Sequence, residues 1–384
     1  MKKVIPQVVL LSFIFWFPCY LNAQTDSIKQ QSPFSLGVSY IGNSVTNLSG
    51  GIRQGTVYLG MANFRVSFNT ASAGFWSGGE FFLNAANTHG GIPSAILVGD
   101  FQGVSNIEAG DLTYLHELWF KQSIGPVSVI AGLQDMNAEF AASEFSGIFL
   151  NGSFGIHSTI AHNVPAPIFP LTALGVQLQW NIQENISIKI AVFDGLPDGF
   201  ESNPYNLEWN LKPDDGFLTI AEVSYHRSRI NGFDGTYKLG GYYHNHVCLA
   251  DENGNDCATP DYGIYFLADQ VLFKGSTGRQ LSLFTQLGLS PKKINTNCCY
   301  LGFGLNYTGF FPKRTEDVLG LAIAHAGFNN AIRGNETTAE LTYLLKVNEH
   351  FFIQPDFQYV INPSGTDEIL ANALVGTMRV GINF

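Results

Sequence analysis

Charge is scarce in this 384-residue chain: Asp, Glu, Lys and Arg make up 13% of it, about half the roughly 25% usual in globular proteins. A soluble protein so poor in charge needs a large core, written as amphipathic helices or solid Val/Ile/Leu strands, and neither pattern dominates. Long apolar runs are missing as well. After Ala23 no stretch approaches the ~18 uninterrupted apolar residues of a transmembrane helix. Basic residues are few. With Lys2 and Lys3 set aside as part of a leader, 18 of the 20 remain against 31 acidic residues, a net of −13, which argues against nucleic acid as a partner.

Cysteine is also sparse. Cys19 follows Trp-Phe-Pro rather than the small residues of a lipoprotein box, so lipidation is not expected. Cys248, Cys257, Cys298 and Cys299 permit three pairings in an oxidising compartment. Cys248 and Cys257 bracket LADENGND as a stapled loop would, while vicinal Cys298 and Cys299 bond only through a strained ring or pair with that loop. Zinc is not expected, because CxxC spacing is absent and only His244 and His246 lie near. No GxSxG, HExxH or phosphate loop occurs. His157 and Ser158 are adjacent, and neighbours on a strand point to opposite faces, a poor arrangement for a nucleophile and its base. The expectation is a protein that is not an enzyme and holds no cofactor.

What is present begins with a leader. Lys2 and Lys3 form a basic region, Val8 to Phe17 an apolar one, and Leu21-Asn22-Ala23 a cleavage site before Gln24, the order of a secretory signal peptide. Residues 1–23 read as that leader, 24–33 as a short N-terminal segment, and 34–384 as one domain. Within it, apolar and polar residues alternate. In VSVIAGLQ, Val127, Val129, Ala131 and Leu133 alternate with Ser128, Gly132 and Gln134; in ISIKIAV, Ile186, Ile188, Ile190 and Val192 alternate with Ser187 and Lys189. This is the period of strands with one apolar and one polar face.

About sixteen strands are expected, near 34–41, 53–69, 73–87, 111–122, 126–134, 173–181, 185–193, 217–228, 235–246, 262–273, 280–289, 299–310, 316–326, 335–347, 349–361 and 372–384. Short gaps alternate with long polar ones, among them 42–52, 88–110, 135–172, 194–216 and 247–261. Short turns at one rim and long loops at the other describe an all-β, transmembrane antiparallel barrel of the outer-membrane type. The last strand fixes its facing. Leu374, Met378, Val380, Ile382 and Phe384 share one face and Arg379 the other. The opposite register would put Arg379 in hydrocarbon at roughly 2–4 kcal/mol near the midplane. Phe351, Ile353, Phe357 and Tyr359 then face lipid, and Gln354, Asp356 and Gln358 a wet interior. Pro355 lacks a ladder donor and is expected at a bulge or rim.

Several motifs in order resemble the carbohydrate-selective porins of the OprB family: ELWFKQ (117–122), the run AGLQDMNAEFAASEFSGIFLNGSFG (131–155), PIFPLTALGVQL (167–178), VFDGLP (192–197), YFLADQVLF (265–273), RTEDVLG (314–320), QPDFQYVINPSGTD (354–367) and the terminal LVGTMRVGINF. The resemblance implies a sixteen-strand outer-membrane porin of a Gram-negative bacterium through which sugars diffuse, with the third long loop, here 135–172, folded inward as a constriction. Terminal Phe384 resembles the signal read by the barrel-assembly machinery, an expected transient partner. Monomer and homotrimer are both left open.

The candidates for lining the pore or contacting solute follow from these two readings. From the third loop and its approach come Gln134, Asp135, Asn137 and Glu139. From the wall come Arg65, Glu117, Trp119, Lys121, Glu340, Gln354, Asp356, Gln358 and Arg379. Sugars suit such a set: C–H faces stack on an aromatic ring while hydroxyls bond to amides and charges. The same residues also suit a plainer role, as wall-to-wall bonds that stiffen a barrel, and Arg314 with Asp317 reads as a turn brace. The expected partners are sugars, other small hydrophilic solutes and outer-membrane lipid. Two further functions stay open: a general, weakly cation-selective porin, and a plugged barrel serving adhesion or as an outer-membrane hydrolase.

Overall fold

A strand leaves one row of backbone donors and acceptors on each edge, and in hydrocarbon each row needs a partner. Here sixteen strands satisfy that requirement in a ring. The computed structural model describes residues 32–228, 233–250, 256–275, 278–329 and 334–384. The leader at 1–23, most of 24–33 and the side chains of Cys248 and Cys257 lie outside the described residues. The strands are β1 (Phe34–Ser49), β2 (Gly55–Asn69), β3 (Gly79–Gly90), β4 (Leu112–Ile124), β5 (Val127–Gln134), β6 (Ala173–Gln183), β7 (Ile186–Asp194) and β8 (Phe217–Arg227). They continue with β9 (Gly235–Ala250), β10 (Asp256–Lys274), β11 (Gln280–Leu289), β12 (Asn297–Thr308), β13 (Val318–Phe328), β14 (Glu336–Lys346), β15 (Phe351–Ile361) and β16 (Ala373–Asn383). Each pairs antiparallel with its sequence neighbours, and β1 closes the ring on β16 through pairs such as Tyr40↔Ile382 and Asn43↔Arg379.

The alternation read from sequence becomes the two faces of this wall. Across β12 to β15, Leu305, Leu321, Leu341 and Phe357 lie in one register row. Leu321, Leu341 and Phe357 of that row are among the exposed large apolar side chains. One position along, Ala322, Glu340 and Gln358 share the opposite face and are buried. The short-turn rim carries aromatic rings in contact: Phe34 with Phe68, Phe68 with Phe81, and Phe81 with Phe120 at 4.6 Å between centroids. Such rings suit the membrane interface.

Three boundaries differ from expectation. β1 runs on to Ser49, because GNSVTNLS, loop-like in composition, is paired on both sides by β2 and β16. β3 begins at Gly79 rather than 73; residues 70–78 are a turn in which the Thr70 hydroxyl bonds the carbonyls of Trp76 and Gly79. β9 and β10 extend through most of the expected loop 247–261. Pro355 interrupts the β14–β15 ladder between Thr342↔Asp356 and Leu345↔Ile353, without a bulge, and pairs with Met378 on the other side. Cys298 and Cys299 are free thiols. The turn brace holds as expected: Asp317 accepts two bonds from Arg314, at 2.7 and 2.9 Å, and one from the Tyr343 hydroxyl.

Candidate functional site

β5 is only eight residues long. At its end Gln134 donates to the Gly175 carbonyl at 2.7 Å, and Asp135 turns the chain by accepting the Asn137 amide while facing His116 Nε2 at 3.3 Å. The 38 residues from Asp135 to Thr172 form short helical turns and one isolated bridge, Ile168 with Leu171. A segment without a ladder needs other partners for its backbone, and carboxylates on the polar face of the wall supply them. Glu222 on β8 accepts the Ala141 amide at 3.0 Å. Asp269 on β10 accepts the Ser143 hydroxyl at 2.6 Å and the Glu144 amide at 2.9 Å. Glu340 on β14 accepts the amides of Leu150 and Asn151 at 2.5 and 3.0 Å. Wall amides add to these, Gln354 donating to the Ile148 carbonyl, Asn306 to Phe145 and Gln286 to Phe154, as do Lys238 to Ala142 and Tyr300 to Ser153. Tyr265 lies over Gly240 to reach Glu222 at 3.0 Å; a Cβ on Gly240 would stand 2.2 Å from its ring.

The loop between β3 and β4 is held in the same way. Glu336 on β14 accepts the amides of Phe101, Gln102 and Ser364. Glu108 accepts the Ser94 amide with both oxygens, at 3.1 and 3.2 Å. Burial pushes the Asp100 carboxyl up to about 6 and that of Glu108 up to about 7, the Asp100 charge adding to the latter. Burial also lowers His157 to about 3, leaving a neutral ring whose Nδ1 meets the Thr159 hydroxyl at 2.7 Å.

The thirteen candidates therefore divide. Gln134, Glu340, Gln354, Asp356, Gln358 and Arg379 are buried. All but Gln134 and Asp356 bond residues of the two loops; Arg379 reaches Asn106 at 2.6 Å and Asn43 at 2.9 Å. Asp356 meets the Gln358 amide. Burial leaves little of them for a solute. Asp135 and Asn137 brace their own loop, Asn137 through the carbonyls of Phe140 and Gly155. Glu139 pairs with Lys189 on β7.

The remaining candidates come together on β2 to β4, away from those contacts. Register places Arg65, Asn84 and Glu117 in one row. Arg65 is exposed, with Nη1 3.4 Å from the Ser39 hydroxyl. The next row stacks Phe82 on Trp119, at 4.8 Å and 25°, and the Trp119 indole N–H donates to Glu117 at 3.2 Å. Beyond them Glu80 stands opposite Lys121. The patch offers two cations, carboxylates and an aromatic surface within a few ladder steps, with buried Asn84 donating to Glu117 at 3.5 Å.

Sequence reasoning missed Asp269 and Glu336 as tethers. Asp269 is a lone acid in the apolar strand YFLADQVLF, a signal that it needs a partner. Glu336 follows Asn335 at a strand start, where an acid reads as a rim residue.

Comparison with known proteins agrees with this architecture. The family model for the carbohydrate-selective porins, OprB family, matches residues 53–384. Porin B of Pseudomonas aeruginosa is 23% identical, over 93% of this chain and 88% of its own. The high-pH structure of Pseudomonas putida OprB superposes with a TM-score of 0.80 at 22% identity, over 92% of this chain and 94% of that one. The low-pH structure of the same protein gives 0.60 at 20% identity, over 92% and 93%.

Proposed function

The chain belongs to the OprB family of carbohydrate-selective porins, and from that premise we propose how this barrel passes sugar. It is a bacterial outer-membrane porin with the fold of a passive, non-enzymatic channel. In our reading, residues 135–172 fold into the bore and cover the wall from β8 to β15, leaving the patch on β2 to β4 open. Solute then moves between the segment and that patch. A pyranose lays its C–H face on Trp119 and Phe82 while Arg65, Glu117, Glu80 and Lys121 meet its hydroxyls. The segment narrows the path and sets the size limit. The observation that carries this is the division among the candidates: carboxylates bound to loop amides on one arc, a stacked aromatic pair beside an exposed arginine on the other.

Liposome swelling with sugars of graded size tests it. Wild-type protein admits mono- and small oligosaccharides, a deletion inside 139–165 raises the size limit, and Trp119→Ala slows sugars more than salts of equal size. Folded protein that swells no liposomes would leave the plugged-barrel reading standing. Reversal potentials in a KCl gradient, with and without sugar, separate sugar passage from general cation selectivity. We further read residues 1–23 as the removed export leader and Phe384 as the mark read by the assembly machinery.

A further inference from the structure

Because β5 ends at Gln134, the upper part of β4 loses its neighbour on that side: β4–β5 pairing stops at Leu118↔Leu133, while β4 continues to Leu112. The seam is stitched by residues of the loop between β7 and β8. The Leu115 amide donates to the Tyr205 carbonyl at 3.0 Å. Asn206 donates to the Leu115 carbonyl at 3.1 Å and to the Thr172 hydroxyl at 3.0 Å, and Thr172 in turn donates to the His116 carbonyl.

The height of this seam matters. Leu115 lies five residues up the strand from Phe120, which belongs to the rim of contacting aromatic rings. At ~3.4 Å per residue on a strand tilted ~40°, that is about 13 Å, roughly half the ~25 Å apolar band of such barrels. The bilayer core offers no water to unpaired backbone groups, so irregular backbone at that depth needs partners within the protein. Two buried asparagines supply such partners over residues 203–208. Asn203 accepts the amides of Leu207 and Glu208 and donates to the Glu208 carbonyl at 2.7 Å. Asn206 adopts φ 50°, a conformation asparagine tolerates, and its carbonyl accepts the Trp209 indole N–H at 3.0 Å. The other side of the segment is apolar at every second residue: Tyr205, Leu207 and Leu211 are 61, 60 and 67% exposed, with Trp209 between them. Asn210 and Lys212 share the alternate phase with Glu208 and bond Asp198. Glu208, Trp209 and Asn210 line one small cavity with Leu174 of β6 and Asp194 of β7, strands whose exposed face carries Val176 and Val192 in register.

We propose that residues 203–211 are a lipid-facing patch that seals the barrel wall where β5 leaves it, with Tyr205, Leu207, Trp209 and Leu211 immersed in acyl chains of the outer leaflet. The proposal rests on the membrane-barrel reading and adds that a non-strand segment completes the hydrocarbon-facing surface. Trp209 reports on it. In protein without residues 1–23, and so without Trp16, a variant with Trp76, Trp119 and Trp180 changed to Phe is reconstituted in phospholipid brominated on its acyl chains, and Trp209 emission is expected to be quenched and to resist aqueous iodide. A parallel variant retaining only Trp180, on the exposed face of β6, is the reference. Quenching of Trp180 but not Trp209, with Trp209 open to iodide, overturns the proposal alone. Quenching of neither overturns the barrel's placement in the membrane. If the triple replacement does not fold, Trp209→Phe in the otherwise unchanged protein must remove part of the bromolipid-quenchable emission; an unchanged quenchable fraction counts against the patch.

Discussion

The carboxylate of Glu340 accepts the backbone amide of Asn151 at 3.0 Å across a separation of 189 residues, and its other oxygen takes the amide of Leu150. Hydrogen bonds of this kind contribute about 0.5–1.5 kcal/mol each, and a buried amide left alone costs ~1–3 kcal/mol. A segment without regular structure is thus fixed to β14 by one side chain. Asp269 fixes the stretch ending at Phe145 in the same manner.

Replacing these tethers should loosen the segment without opening the ring of strands. For Glu340→Ala we expect larger and noisier single-channel conductance in planar bilayers, and for Glu340→Ala with Asp269→Ala a greater increase than either alone. Retained resistance to unfolding in detergent would show that the wall is intact. Conductance indistinguishable from wild type in the double variant would mean that the segment does not limit the path.

Arg65 is the exposed cation of the patch on β2 to β4. A unit charge in water at ~8 Å is worth about 0.5 kcal/mol, enough for roughly a twofold change in the local concentration of either ion. Arg65→Ala should therefore shift the KCl reversal potential toward cation preference by about that factor, and Glu80→Gln should shift it the opposite way. The effect should shrink as salt rises, since screening shortens to ~3 Å at 1 M. A shift of the same sign for both variants would remove them from the conducting path.

Much of this is legible in the sequence. Register facing followed from one residue, Arg379, because a cation cannot share a face with lipid, and that single parity propagates through every antiparallel pair. The tethers were less legible. Alternation says which face Glu340 or Asp269 occupies but not whether water or a loop backbone meets it there. That depends on where residues 140–151 travel, and their local composition of Phe, Gly, Ser and Asn carries no period. GNSVTNLS at the end of β1 was missed for a related reason: its pairing comes wholly from β2 and β16, which override its local preference for turns.

Asp100 and Glu108 give the loop between β3 and β4 a pH dependence. Their folded values, about 6 and about 7, lie above the ~4 expected of an unfolded carboxylate. The sign follows from linkage: the protonated forms favour the packed loop, so their stabilisation is fully present below pH ~4 and is lost as pH rises through 6 to 7. Around them stand the Ser94 amide, the Glu336 carboxylate and, at the same cavity wall, His162. Susceptibility of residues 94–110 to added protease should thus increase from pH 5 to 8, and Glu108→Gln should flatten that rise. A rise that is unaltered in Glu108→Gln and Asp100→Asn would assign the dependence to other groups.

The apolar row Leu305, Leu321, Leu341 and Phe357 supplies the sharpest check on which medium surrounds the barrel. Leu321 is 56% exposed, so in water an arginine there would be harmless and even solubilising. In hydrocarbon near the midplane it costs about 2–4 kcal/mol, whereas Leu321→Ala forfeits only part of a side chain's contact with lipid. Unfolding in urea from phospholipid bilayers should rank wild type above Leu321→Ala, and Leu321→Arg lowest by about that margin. Because Leu321 touches neither loop tether nor patch, single-channel conductance of the folded variants should stay at the wild-type level. An arginine variant as stable as wild type would place this row in water, and the outward face of the barrel would need another partner.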